Sequence, residues 1–259
     1  MGHGTNLTGF RVAQVDPNSA TLKSTIGAPG AAQGMAFDGS AIWVAFGQNT
    51  SQGVKKFDPA SGLTLKVVSL TGWPAGVAFD GTKVWVAVNT QTNVRKVELD
   101  GALSSKVEVG TQPDGIVFDG SSIWVTNSSS NTVSRINASS SVVTATIPVG
   151  SYPLGIAAGS SSIWVANKSS NTVDRIDPAT NLISASIAVA GGPYRLVFDG
   201  SNIWVTLNAS GAVARIDPAT NSVTATVAVG ARPQGIAVDG SSIWVANNGS
   251  NSLSKISPN

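Results

Sequence analysis

Short apolar runs of four to eight residues, each closed by Gly, Asn, Asp, Ser or Pro, follow one another along the chain. Runs of this length between turn residues predict β-strands. The pattern itself repeats. Tryptophan stands at Trp43, Trp85, Trp124, Trp164, Trp204 and Trp244, at intervals of 42, 39, 40, 40 and 40 residues. Such regularity marks one supersecondary unit copied side by side.

The unit is clearest from Pro153 to Gly191. Its four strands are Gly155 to Ala158, Ser162 to Ala166, Val173 to Ile176 and Ile183 to Val189. Asp-Gly joins the first strand to the second in five copies, at Asp38, Asp80, Asp119, Asp199 and Asp239, with Ala158-Gly159 in the sixth. This dipeptide tolerates positive φ and signals a tight hairpin. Asp-Pro-Ala-Thr-Asn joins the third to the fourth at Asp177 and Asp217, with looser versions at Asp16 and Asp58. There proline presets one turn angle and the Asx side chains bond back to the local backbone. Short links throughout make each unit a four-stranded antiparallel meander.

The second strand alternates Ile and Val with Trp and Ala, so both of its faces are apolar. A lone sheet cannot bury both, whereas radially placed copies sandwich each other. The chain is therefore predicted to be all-β, a six-bladed β-propeller over residues 10–259, with 1–9 a flexible terminal segment or remnant. Twenty-five candidate strands compete for 24 places, because third-strand copies occur both at Val12 to Asp16 and at Leu253 to Ser257. The ring is expected to be closed by both chain ends, with Thr21 to Ile26 completing the last blade, Gly235 to Ile256, and covering its edge.

The fuller motif is Pro-x-Gly-Ile-Ala-x-Asp-Gly-x-x-Ile-Trp-Val-Ala-Asn, then Ser-Asn-Thr-Val-x-Arg-Ile-Asp-Pro-Ala-Thr-Asn. Over residues 10–257 it resembles bacterial six-bladed propellers of the YVTN and virginiamycin B lyase-like type, related to NHL-repeat propellers. The resemblance implies the fold, while family members range from a lyase to binding modules. A lyase of that type implies a histidine base, acidic help and a divalent metal. The related sugar-lactonase propellers imply an acidic metal cluster at the channel.

Composition narrows these options. With 42% hydrophobic and 12% charged residues the chain can bury a substantial core, and no apolar run reaches the length of a membrane-spanning helix. Sixteen basic and 14 acidic residues give a dispersed net charge of +2, unlike the clustered basic footprint of a nucleic-acid binder. The absence of cysteine excludes disulfides and thiolate chemistry. Met1-Gly2-His3-Gly4 lacks the features of a secretory signal, yet low charge and abundant Ser, Thr and Asn favour an extracytoplasmic bacterial protein.

The only histidine is His3, outside the repeats. Of 14 carboxylates, five are the Asp-Gly residues and five end third strands, at Asp16, Asp58, Glu98, Asp177 and Asp217. Only Asp114 among the rest is placed at a ring mouth, so no catalytic residue, metal ligand or cofactor is assigned. The six tryptophans are read as packing between blades. The cations Lys56, Lys96, Arg135, Arg175, Arg215 and Lys255 are read as long stems covering apolar surface, with the charge reaching water or a nearby Asp, as in Arg175 to Asp177.

Differences between copies carry more functional information than the repeat. Links from fourth to first strand and from second to third strand share the top face, where loops on a rigid scaffold hold ligands. The variable positions there place Phe46, Trp73, Tyr152, Tyr194 and Leu207 beside Gln33, Asp114, Arg195, Arg232 and Gln234 around one mouth. Arg195 replaces the first-strand glycine in one blade only. The final Asn of the motif, present at Asn127, Asn167 and Asn247, is also expected to reach this face. Aromatic walls with a few polar groups suit a small molecule, glycan or peptide. The expected function is a monomeric, non-catalytic binding or scaffold propeller. The alternatives are a metal-assisted lyase or lactonase, and a recently amplified or engineered repeat with no evolved ligand.

Overall fold

The computed structural model describes residues 10–15, 22–28, 31–48 and 51–258; His3 and the expected terminal segment 1–9 lie outside them. The described residues form 25 strands and no helix. The fold is an all-β, six-bladed propeller. Blade 1 is β3 (Ala31–Phe37), β4 (Ile42–Gln48), β5 (Ser51–Phe57) and β6 (Thr64–Ser69). Blade 2 is β7 (Pro74–Phe79), β8 (Val84–Val88), β9 (Asn93–Val97) and β10 (Leu103–Glu108). Blade 3 is β11 (Pro113–Phe118), β12 (Ser122–Asn127), β13 (Thr132–Asn137) and β14 (Val143–Pro148). Blade 4 is β15 (Pro153–Gly159), β16 (Ser162–Asn167), β17 (Thr172–Asp177) and β18 (Leu182–Ala188). Blade 5 is β19 (Pro193–Phe198), β20 (Ile203–Leu207), β21 (Ala212–Asp217) and β22 (Ser222–Ala228). All five are antiparallel meanders in sequence order.

Trp43, Trp85, Trp124, Trp164 and Trp204 are the centre of the packing between blades, while Trp244 of blade 6 lines a cavity instead. Trp43 clusters with Val77, Val84 and Val86 of the following blade, and Trp85 does the same with Ile116, Ile123 and Val125. Each of the six repeat tryptophans has a fixed acceptor for its indole N–H. Trp43, Trp85, Trp124, Trp204 and Trp244 donate to the Asp-Gly carboxylates of Asp38, Asp80, Asp119, Asp199 and Asp239 at 2.6–2.8 Å. In blade 4, which lacks that Asp, Trp164 donates instead to the Gly159 carbonyl at 3.0 Å. The other carboxylate oxygen accepts backbone N–H groups of its own turn, as Asp119 does from Ser121 and Ser122. One aspartate thus closes the hairpin and satisfies a buried donor.

The third-strand cations lie over these rings. Lys56, Lys96, Arg135, Arg175, Arg215 and Lys255 sit 5.0–5.9 Å from the tryptophan centroid of their own blade, within cation–π range. The expected pairing of Arg175 with Asp177 is replaced by a reach into the next blade. Arg175 Nη1 donates to the Pro218 carbonyl at 2.7 Å and to Asn221 Oδ1 at 3.0 Å, and Arg135 makes the same pair of bonds to Pro178 and Asn181. The planar fork matches the carbonyl and amide acceptors offered by the neighbouring turn. Lys56 and Lys96 reach forward likewise, to the Leu99 carbonyl and to Ser141 Oγ. Arg215 turns back to Thr224 Oγ1 of its own blade at 3.0 Å.

The last blade departs from the expected closure. β23 (Pro233–Val238), β24 (Ile243–Asn247) and β25 (Ser252–Ile256) form a three-stranded sheet, while β2 (Leu22–Ala28) pairs with β1 (Phe10–Val15) in a separate hairpin. Thr21, the first residue of the expected clasp, lies outside the described residues. The physical reason is locality: β1 is the other third-strand copy, and closing a short loop costs less entropy than pairing across more than two hundred residues. Parts of the surfaces that blades 6 and 1 turn to each other stay exposed accordingly, although Val44 and Phe57 of blade 1 are buried. Leu253 is 50% and Met35 58% exposed, whereas Val213 and Val77 at the same repeat positions are buried.

Deleting residues 1–16 removes β1 and leaves β25 as the sole third-strand copy. The truncated chain is expected to keep one cooperative urea transition by circular dichroism, and loss of that transition would show that the terminal hairpin is essential.

Candidate functional site

A cavity of about 610 Å³ runs between the innermost strands, walled by apolar residues such as Val77, Ile116, Ile156, Leu196 and Ile236, and extends along the face of blade 6, where Trp244, Ala246 and Leu253 line it. Five blades present Gly34, Gly76, Gly115, Gly155 or Gly235 to it. In blade 5 the same position is Arg195, among the described residues the only charged side chain lining that wall. Its Nη1 reaches Asp114 Oδ1 of blade 3, two blades back in the chain, at 2.6 Å. Both groups are largely shielded from solvent, where an ion pair is stronger than at an open surface.

Tyr194 stands beside this pair. The Arg195 guanidinium lies 5.0 Å and the Lys168 ammonium 5.5 Å from its ring centroid. Burial pushes the Tyr194 hydroxyl above its ordinary pKa, against the pull of Arg195, and the charge of Asp114 adds to the rise. Tyr194 therefore stays a neutral hydrogen-bond donor at physiological pH. Burial opposes the charge on Arg195, but Asp114 outweighs it and the cation is held more firmly than usual. Tyr152 is near enough to act electrostatically on Tyr194. The residue is 39% exposed on a backbone at φ 55°, a conformation held by the Tyr152 N–H donating to Asn131 Oδ1 at 2.9 Å.

The structure thus gathers Asp114, Tyr152, Tyr194 and Arg195 from blades 3 to 5 and adds Lys168. Sequence reasoning passed over Lys168, although the same copy-to-copy comparison exposes it. The residue after the second strand reads Gly47, Asn89, Ser128, Lys168, Asn208 and Asn248, and only one of these is charged. Gln33 also lines the channel. Trp73 lies in another sector, its indole against the backbone of Gly47, and is 36% exposed. Arg232 is exposed in blade 6, where Gln234 Oε1 accepts a bond from Asn248 Nδ2 at 3.3 Å.

Two expected rim residues are not on the rim. Phe46 and Leu207 are 1% and 3% exposed, because second-strand side chains this far along still pack into the interior, Leu207 against blade 4. Asn127, Asn167 and Asn247 are buried for the same reason. Their Nδ2 groups donate to hydroxyls of the adjoining strand, Thr132 and Ser134 in blade 3, Thr172 in blade 4 and Ser252 and Ser254 in blade 6.

Among the described residues this arrangement has the groups to bind and orient a ligand. The divalent metal implied by the lyase and lactonase resemblance does not fit the donors present. Among the described residues no three His, Cys, Asp or Glu side chains cluster. Asp114, the mouth carboxylate, is already paired with Arg195.

Among curated proteins no sequence relative matches. Solved structures share the fold at low identity. A streptogramin B lyase structure superposes with a TM-score of 0.83 at 19% identity, covering 97% of this chain and 87% of that one. A catalytically inactive histidine-to-alanine variant of virginiamycin B lyase from Staphylococcus aureus, with quinupristin, gives 0.72 at 18% identity, covering 87% and 84%. A chain of the mitotic checkpoint complex gives 0.84 at 13% identity, covering 96% and 82%. Since a checkpoint assembly superposes as well as a lyase does, these likenesses establish architecture alone. The sequence model of the virginiamycin B lyase family, in contrast, matches residues 5–259, and the chain belongs to that family.

Proposed function

We propose that the chain is a binding propeller that holds its ligand at the mouth of the channel through Arg195, Tyr194, Lys168 and Tyr152, with no covalent step. The observation that carries this reading is Arg195, which replaces glycine in one blade of six and projects a fixed cation over an apolar cavity. Among the described residues only Nη1 of its guanidinium has an acceptor, Asp114, which leaves donors for a ligand. Tyr194 and Tyr152 supply flat apolar surface with hydroxyl donors, suited to a small molecule, a sugar face or a peptide side chain. The loss of activity when a histidine is replaced in the Staphylococcus aureus relative supports the non-catalytic reading, because residues 4–259 contain no histidine.

The test is a screen of glycans, short peptides and metabolites against the natural chain, Arg195→Gly and Tyr194→Ala. A ligand bound by the natural chain is expected to lose about tenfold or more in affinity in both variants, the scale of one lost charge-assisted contact. Equal binding by all three proteins would overturn the assignment. Incubation with quinupristin and a divalent cation is expected to leave its chromatographic retention unchanged. Conversion would establish a lyase instead.

A further inference from the structure

A second cavity, of about 540 Å³, opens between blades 3 and 4 on the face opposite the mouth. Its origin can be read from the repeat. In the packing cluster around Trp43 the next blade inserts Phe79; around Trp85 it inserts Phe118; around Trp164 it inserts Phe198. Around Trp124 the corresponding residue is Ala158, which lines the cavity together with Phe118 and Ile163. Around Trp204 the residue is Val238, so Ala158 is the smallest of the series, and the space a phenylalanine ring would fill remains open beside it.

The rim is polar. Arg135, Asp119, Ser121, Ser161 and Ser162 surround the opening. Arg135 is anchored by Nε to Ser122 Oγ at 3.1 Å and by Nη1 to Pro178 and Asn181, while Nη2 has no acceptor among the described residues. The adjoining turn is also unlike its counterparts. Ser160 and Ser161 occupy the left-handed region at φ 51° and 53°, and the first of them stands where the other blades place a glycine. Non-glycine residues are held there only when the surroundings fix them, and such outliers cluster at functional sites.

We propose that this cavity is a ligand site distinct from the mouth. It takes one planar aromatic ring in the place of the absent phenylalanine, with a neutral hydrogen-bond acceptor on the ring directed to Arg135. A neutral acceptor fits better than an anion because the Asp119 carboxylate shares the rim. The ring is held by stacking and edge contacts that a saturated ring of equal size lacks.

Benzamide is the probe, with cyclohexanecarboxamide as its saturated counterpart, titrated by saturation-transfer NMR. The natural chain is expected to bind benzamide saturably and more tightly than the saturated amide. Ala158→Phe is expected to weaken benzamide by about tenfold or more, since its own ring fills the space. Ala179→Trp, on the exposed turn at the rim, blocks the opening without entering the core and is expected to give the same loss. It keeps the test decisive if Ala158→Phe fails to fold. Arg195→Gly is expected to leave benzamide binding unchanged, which separates this site from the mouth. Absence of saturable binding, equal binding by the filled and natural chains, or loss of binding in Arg195→Gly would each overturn the proposal.

Discussion

Asp119→Asn is expected to destabilise the folded chain by about 2–3 kcal/mol, the scale of a charge-assisted hydrogen bond lost with a buried donor left unpaired. The amide oxygen can still accept from the turn N–H groups of Ser121 and Ser122. On the other side, however, an NH₂ group then faces the Trp124 indole N–H, which now lies 2.6 Å from a carboxylate oxygen. Two donors meet, and Trp124 is fully buried, so water cannot make good the loss. Urea unfolding measures the effect, and a variant within about 0.5 kcal/mol of the natural chain would show that the indole bond contributes little net stability.

The same contact predicts acid sensitivity. Burial opposes the charges of Asp38, Asp80, Asp119 and Asp199, yet the turn and indole donors outweigh it and hold these carboxyl groups below their ordinary range. For Asp239 the Trp244 indole is the leading cause of a shift in the same direction. A carboxyl whose folded pKa is depressed adds stability above its unfolded pKa, about 3.9, and loses it as pH falls toward the folded value. The melting temperature is therefore expected to decline steeply below about pH 4. The interface that holds Trp164 is exempt, because its acceptor is the carbonyl of Gly159, which does not titrate.

Gly115→Ala is the second large effect, expected to cost about 3 kcal/mol, the upper part of the usual range for overpacking. A Cβ at Gly115 would stand 2.2 Å from the Leu154 carbonyl oxygen of the next blade, and backbone cannot step aside as a side chain can. Gly235→Ala is the control at the same repeat position. Its Cβ would meet only Ala246 Cβ, at 3.4 Å, because no following blade packs there. A change within about 0.5 kcal/mol of zero is expected, since alanine suits a strand better than glycine. Equal losses in the two variants would show that blade 6 is packed against blade 1 in solution. Blade 5 shows how such a methylene is accommodated. Where Arg195 replaces the glycine, Thr206 Oγ1 reaches the next blade's Gln234 carbonyl at 3.3 Å, against 2.8 Å for Thr126 to Leu154.

Blade number, strand order and the role of the tryptophans were legible in the sequence because they depend on periodic patterns that every copy repeats. The surplus third strand at Val12 and Leu253 was legible as a count, but which copy pairs where depends on competing local and distant contacts that periodicity does not rank. The indole-to-aspartate bond escaped notice although its spacing of five residues never varies, since each residue had a sufficient local reason to be there. At the mouth, Arg195 and Asp114 stood out as departures from the repeat, while their ion pair joins residues 81 positions apart. Phe46 and Leu207 were misplaced because strand alternation gives the face of a residue and leaves its depth open.

The bonds from Arg135 and Arg175 reach forward 43 to 46 residues, to the adjoining blade and no further. Contacts of that kind are indifferent to how many copies a ring contains, so duplication or loss of a 40-residue unit leaves them all satisfiable. The bridge from Asp114 to Arg195 is different, because it spans a whole intervening blade. A copy gained or lost between blades 3 and 5 would pull that bridge apart, so among the described ion pairs it alone ties the ligand mouth to a fixed number of blades.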